Sequence, residues 1–130
     1  FGEHVIGKEV EDAILPVAQV WGLQIVEFTV APQVNPPEGG PPYHEWFVEF
    51  GQKPERLQDI AQEVDARLRA QNIYYDDLIK GGVLRPLVIR SVRQGAFIEY
   101  MRSEGKLGGQ NKVPRLSNDR KIADWLSWQE

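Results

Sequence analysis

The sequence predicts an α+β domain, in which a small mixed β-sheet of three or four strands is packed with helices. The chain has 130 residues, of which 42% are apolar and 10% aromatic, so a single domain over residues 1–130 can bury a sizeable core. Helix and strand patterns follow one another irregularly along it, without a repeated strand–helix unit. A ferredoxin-like topology is one specific arrangement that this order suggests.

The first elements are a helix and a strand. Residues 8–21 carry apolar side chains at helical spacing, and Pro16 is expected to kink or split that helix. Gly22 fits a C-terminal stop. Residues 23–31 are rich in β-branched and aromatic side chains, which is typical of a strand.

A loop and a second strand follow. Five prolines within residues 32–42 predict a loop. Residues 44–50 alternate, which predicts a strand with Trp46, Val48 and Phe50 on one face and Glu45, Phe47 and Glu49 on the other. Paired carboxylates can perform acid–base chemistry, but a solvated sheet face is the commoner arrangement. His44 is expected to be a strand-end residue, because nothing around it is typical of serine–histidine catalysis.

The rest of the chain predicts four more helices and one buried strand. Apolar spacing places a helix up to Gln71 with Pro54 in its first turn, and a shorter helix over residues 72–80. The clearest buried strand spans residues 86–92. The last two predicted helices are residues 95–103, with Phe97, Ile98 and Met101 buried, and a final helix capped by Ser117 or Asn118.

Composition excludes several kinds of site. The chain has no cysteine and only two histidines, so disulfide scaffolds, thiolate zinc sites and multi-histidine metal centres are excluded, and we expect no metal site. It has no apolar run long enough to span a bilayer and no signal-peptide pattern, so we expect a cytoplasmic protein that does not bind membranes. Because the chain starts at Phe1 and its only methionine is Met101, we expect a piece of a longer protein.

Charge is divided unequally along the chain. Residues 1–79 carry 5 basic and 14 acidic side chains, whereas residues 80–130 carry 10 basic and 5 acidic ones. A local excess of cations beside glycines suits an anionic ligand such as a phosphate, although a solvated basic face would have the same composition. Nucleic acid is not expected as a partner, since the chain is acidic overall, with a net charge of -4, and contains no nucleic-acid-binding motif.

The segment from residue 105 to residue 121 is the best candidate for a site. Gly108 and Gly109 would let the backbone approach a ligand closely. Lys112 precedes the stiff Val-Pro pair, and Arg115 adds a second cation. The P-loop pattern of nucleotide hydrolases is not satisfied. Spacing alone therefore leaves two hypotheses open: a lysine that contacts phosphate, or ordinary surface cations.

Several segments together resemble the C-terminal domain of the Gretchen Hagen family, the auxin-responsive acyl-acid-amido synthetases, and specifically its bacterial-type members. The similarity covers most of the chain and is strongest from residue 82 onward. The segments that carry it are Leu84-Arg85-Pro86-Leu87, Gln94-Gly95-Ala96-Phe97, the run G-G-Q-N-K-V-P-R over residues 108–115, the run S-N-D-R-K over residues 117–121, and the run H-E-W-F-V-E-F over residues 44–50.

This resemblance implies a function. Family members are ATP-dependent ligases that activate a carboxylic acid as an acyl adenylate, with ATP and Mg²⁺, and then join it to an amine or amino acid. Their large N-terminal adenylation domain, absent from this chain, binds the nucleotide and the acid, and the small C-terminal domain closes over it as a lid. By motif match Lys112 is the catalytic lysine, Arg115, Gly108 and Gly109 contact or shape the phosphate site, and residues 1–7 lie near the interdomain hinge.

The isolated domain would then be inactive, because most of the active site lies in the N-terminal domain. Its partners would be that domain, a small carboxylic acid and an amine. The alternative is a non-catalytic binding or interaction module that has the same fold and no ligase partner.

Overall fold

In the part of the chain that the structure describes, three strands form one sheet, and helices pack on both of its faces. The computed structural model describes residues 4–105 and 113–128. In those residues the elements are, in order, α1 (Gly7–Trp21), β1 (Ile25–Gln33), β2 (Tyr43–Phe50), α2 (Leu57–Gln71), α3 (Ile73–Lys80), β3 (Val88–Val92), α4 (Ala96–Ser103) and α5 (Lys121–Leu126).

The sheet is mixed, with β2 in the centre. Strand β1 pairs with β2 antiparallel, and β2 pairs with β3 parallel, in a register that places Trp46 opposite both Val30 and Ile89. The predicted α+β class with a small mixed sheet is confirmed. The ferredoxin-like variant is not observed, because that topology separates the parallel strands of each βαβ unit by another strand, whereas β2 and β3 are direct neighbours.

The first face of the sheet packs against α1, α2 and α3. Trp46, Val48 and Phe50 of β2 lie in this core with the buried stripe of α1. Trp46 is completely buried. This face matches the alternation predicted for residues 44–50, because apolar side chains at every second position must share one side of a strand.

The second face packs against α4 and α5. Phe47 of β2 and Val92 of β3 lie in this core beside Phe97 and Leu126 of the two helices. Strand β2 is therefore covered on both sides, and all eight of its residues are buried.

Helix α1 follows its predicted bounds closely. It continues through Pro16 without a split. A proline in a helix interior lowers the stability of the helix by ~3 kcal/mol. In α1 the burial of Val10, Ile14 and Val17 offsets this loss. It ends at Gly22, whose φ of 69° is the left-handed conformation that glycine adopts without steric cost.

Three later helices differ in detail from the prediction. Helix α5 begins at Lys121, directly after Arg120, so the expected cap by Ser117 or Asn118 was wrong. Helix α2 begins at Leu57, so Pro54 precedes it. In α4 the buried positions include Phe97, Tyr100 and Met101, whereas Ile98 is 50% exposed. The expected burial of Ile98 was wrong, because the residues that share a helix face with Phe97 are three and four positions further on.

Buried Asp65 joins three parts of the first layer. Its Oδ1 accepts hydrogen bonds from the Tyr75 hydroxyl of α3, at 2.5 Å, and from the Leu87 N–H, at 3.2 Å. This role of Asp65 was not among the predictions from the sequence. The pattern that could have shown it is a charged residue within the apolar stripe of α2, four positions after Ala61 and three before Leu68.

Substitution of Asp65 should destabilise the fold. Asp65→Ala removes the acceptor of two buried hydrogen bonds, and the loss of a buried acceptor costs about 1–3 kcal/mol. We expect the free energy of unfolding, measured by urea denaturation, to fall by about 2–4 kcal/mol. Asp77→Ala is the control, because Asp77 is exposed on α3. Equal unfolding midpoints for the two variants would contradict the role given to Asp65.

Candidate functional site

The structure describes the candidate segment from Val113 onward. Lys112, Gly108 and Gly109 lie outside the described residues, so their roles stay predictions. What the structure establishes is how the chain that follows Lys112 is attached to the sheet.

The backbone after Lys112 runs beside the outer edge of β1. The Val30 N–H donates to the carbonyl of Arg115 at 3.0 Å, and the Ser117 N–H donates to the carbonyl of Val30 at 2.8 Å. These two bonds form a short parallel bridge between Val30 and Leu116. The segment is therefore fixed to the edge of the sheet.

Two side-chain contacts strengthen this attachment. Val113, the residue directly after Lys112, is only 4% exposed and packs in the second core. The Thr29 hydroxyl donates to the Pro114 carbonyl at 2.5 Å. Lys112 thus precedes a firmly held stretch of chain.

Arg115 makes several contacts with the protein. Its guanidinium forms an ion pair with Glu27 and donates to the Phe28 carbonyl at 3.2 Å. It also lies over the Phe28 ring, 4.1 Å from the centroid. The Cβ of Arg115 lies beside Gly7 at the start of α1. A Cβ added to Gly7 would be 3.6 Å from the Cβ of Arg115. The phosphate contact predicted for Arg115 stays a prediction, and it would compete with Glu27.

Glu45 lies between two arginines. Its Oε1 is 2.8 Å from Nη1 of Arg120, and its Oε2 is 2.9 Å from Nε of Arg90. Arg120 also donates to the Pro32 carbonyl at 3.2 Å. Glu45 is 4% exposed, so the expectation of a solvated carboxylate was wrong. The reason is that helices cover this face of the sheet as well.

Glu49 holds the beginning of α4. Its carboxylate accepts hydrogen bonds from the Gly95 N–H at 3.0 Å and from the Phe97 N–H at 3.4 Å. The first N–H groups of a helix have no partner within the helix, and the helix dipole favours a negative charge there. Glu49 is buried for this structural reason, and here too the solvated face was a wrong expectation.

Further cations of the segment are paired. Lys121 lies 2.5 Å from Glu104, and this hydrogen bond raises the pKa of Lys121. Burial raises the pKa of the Tyr100 hydroxyl, and the negative charge of Glu104 acts in the same direction. Arg115, Arg120 and Lys121 each contact a carboxylate, so the basic excess in the sequence is partly neutralised in the fold.

His44 and two of the tryptophans have packing roles. His44 is buried in β2, with its ring 5.1 Å from that of Tyr75. Trp21 and Trp125 pack partly buried against the two cores. Within residues 4–105 and 113–128, no three carboxylate or imidazole side chains are grouped so that they could hold a metal ion. None of the helices in that same part of the chain is long and apolar enough to cross a membrane.

A family model described as the GH3 family C-terminal domain matches residues 8–121, which is most of the chain. The chain belongs to the GH3 family. This is the Gretchen Hagen family, so the predicted family is confirmed. No curated protein matches the chain.

Solved structures of this family show the same fold. The domain superimposes with a TM-score of 0.69 on a structure called GH3.15 acyl acid amido synthetase, at 23% sequence identity over 94% of this chain. The same TM-score, identity and coverage are found for AtGH3.15 acyl acid amido synthetase in complex with 2,4-DB. This GH3 domain spans only 23% and 22% of the lengths of those two chains.

The ion pairs of Glu45 lead to a stability prediction. Glu45→Ala removes the buried carboxylate that Arg90 and Arg120 share, and a hydrogen bond to a charged group contributes about 1.5–3 kcal/mol. We expect a loss of that size in chemical denaturation. Glu99→Ala removes an exposed partner of Arg93 and should cost less than about 1 kcal/mol. Similar losses for both variants would show that Glu45 is not a buried anchor.

Proposed function

We propose that this domain is the C-terminal lid of a larger ATP-dependent ligase, which activates a carboxylic acid as an acyl adenylate and joins it to an amine or amino acid. The observation that carries the proposal is the match of residues 8–121 to the GH3 family C-terminal domain. The similar structures named acyl acid amido synthetases are about four times as long as this domain. Their additional length is consistent with a large N-terminal adenylation domain as the partner of this one.

Lys112 is proposed as the catalytic residue of the lid. In the first step a carboxylate oxygen attacks the α-phosphorus of ATP and pyrophosphate leaves, so two anions must approach each other. A lysine that contacts both stabilises the negative charge that grows on the phosphoryl oxygens. The burial of Val113 and the bridge from Val30 to Leu116 support this role, because they give the lysine a fixed base.

In the second step the amine attacks the carbonyl carbon of the acyl adenylate, the bond to phosphate breaks, and AMP leaves. Rotation of the lid between the two steps, about a hinge near residues 1–7, would let one small domain serve both and exclude water. Gly108 and Gly109 are proposed to shape the loop beside the phosphates.

The remaining parts of the proposal concern the binding of ATP and Mg²⁺, the isolated domain and the parent protein. ATP and Mg²⁺ are proposed to be bound mainly by the N-terminal domain, as the resemblance to the family implies. The isolated domain would then be inactive. We also propose that the parent protein is cytoplasmic and of the bacterial type.

The test of the catalytic role is Lys112→Ala in the full-length parent protein. The loss of one electrostatic contact in a transition state typically costs on the order of 100–1,000-fold in rate, and we expect that loss in ATP–pyrophosphate exchange with an unchanged unfolding midpoint. Lys53→Ala is the matched control, because Lys53 lies exposed in the loop before α2. Exchange at the wild-type rate in Lys112→Ala would refute the role.

A second test separates the lid from a self-sufficient binding module. We expect ATP titrated into the 130-residue chain in a calorimeter to give weak or undetectable heat, because a lid depends on its partner domain for most nucleotide contacts. Tight binding with one ATP per chain would favour the module instead.

A further inference from the structure

We propose that Arg115 and Glu27 form a positioning pair, which fixes the chain after Lys112 against β1, beside the start of α1. The proposal rests on the catalytic role proposed for Lys112, and it assigns to Arg115 a function other than phosphate binding.

Three parts of the fold meet at Arg115. Its own backbone belongs to the segment bridged to Val30, its guanidinium contacts Glu27 and Phe28 of β1, and its Cβ faces Gly7 at the start of α1. The other attachments of the segment are the bridge to Val30, the packing of Val113 in the second core and the packing of Leu116 against the first core. Arg115 adds a charged contact with β1 beside the end of α1 nearest the proposed hinge.

The surroundings of Arg115 and Glu27 restrict the motion of the paired side chains. The side chains of Arg115 and Glu27 are 30% and 24% exposed, so each charge is largely shielded from solvent. The Phe28 ring covers one face of the guanidinium, and the Phe28 carbonyl accepts one of its N–H groups. A half-buried, charge-assisted contact with such support restricts the side chain more than an exposed ion pair does.

Arg115 is also close enough to Lys112 to affect its position. Three residues span at most ~10 Å even when fully extended, so a shift at Arg115 is transmitted to Lys112 over a short length of chain. A displacement of ~1 Å at a reacting group can cost on the order of 100-fold in rate. The pair would therefore act on the rate of adenylation and not on the affinity for ATP.

The experiment reverses the charges in the full-length protein. The variants are Arg115→Glu, Glu27→Arg and the double variant, with Arg69→Glu as control because the pair of Arg69 and Asp76 has similar exposure on the outer helices. The assay is ATP–pyrophosphate exchange with whichever acid, from a panel of aromatic and aliphatic carboxylates, gives the highest wild-type rate.

We expect each single reversal at the pair to lower kcat roughly 10–100-fold, with the KM for ATP within about twofold of wild type. The double variant should recover most of that loss, and Arg69→Glu should leave both constants unchanged. Glu27→Gln, which removes the charge and keeps the shape, replaces the reversals if they prevent folding. It should lower kcat in the same direction.

Two results would overturn the proposal. Single variants with wild-type kcat would exclude a positioning role. A raised KM for ATP in Arg115→Glu that the double variant does not correct would identify Arg115 as a phosphate ligand.

Amide hydrogen exchange tests the pair of Arg115 and Glu27 independently of the proposed function. If the wild-type protein shows no ATP–pyrophosphate exchange with any acid of the panel, the ligase proposal fails. The pair is then tested by amide exchange at Val30 and Ser117 in the 130-residue chain. Both amides should exchange faster in the single variants and recover in the double variant, and unchanged exchange in the single variants would refute the pair.

Discussion

Strand β2 crosses the centre of the domain with every residue buried, although it carries two glutamates. A buried carboxylate must be paired or hydrogen-bonded, because the loss of its hydration is otherwise too costly. Glu49 meets this requirement by accepting hydrogen bonds from N–H groups at the start of α4. Glu45 meets it by pairing with Arg90 and Arg120. The pairing of these two buried charges, as well as apolar contact, thus sets the position of the second helical layer.

This constraint extends to the candidate site. Arg120 directly precedes α5, so its pairing with Glu45 fixes one end of the stretch that begins at Val113. The other end is fixed at β1 through Val30 and through the pair of Arg115 with Glu27. A stretch that is held at both ends moves with the whole domain. That property suits the proposed role of the domain as a lid.

Much of the fold could be predicted from the sequence because its causes are local. Apolar spacing located α1 and its stop at Gly22, alternation located β2 and the correct faces of Trp46 and Phe47, and the order of motif segments identified the family. The burial of Glu45 could not be predicted in this way, because a carboxylate on an alternating strand has the same pattern whether its face is open or covered.

The elements, the fold class and the family could be inferred from local sequence patterns and motif order, which also pointed to the segment around Lys112. Which groups meet depends on tertiary packing. The partners Glu27 and Arg115 are 88 positions apart, and Thr29 and Pro114 are 85 apart. Helix and strand preferences act over a few residues, whereas these contacts exist only after β1 and the returning chain have been packed side by side.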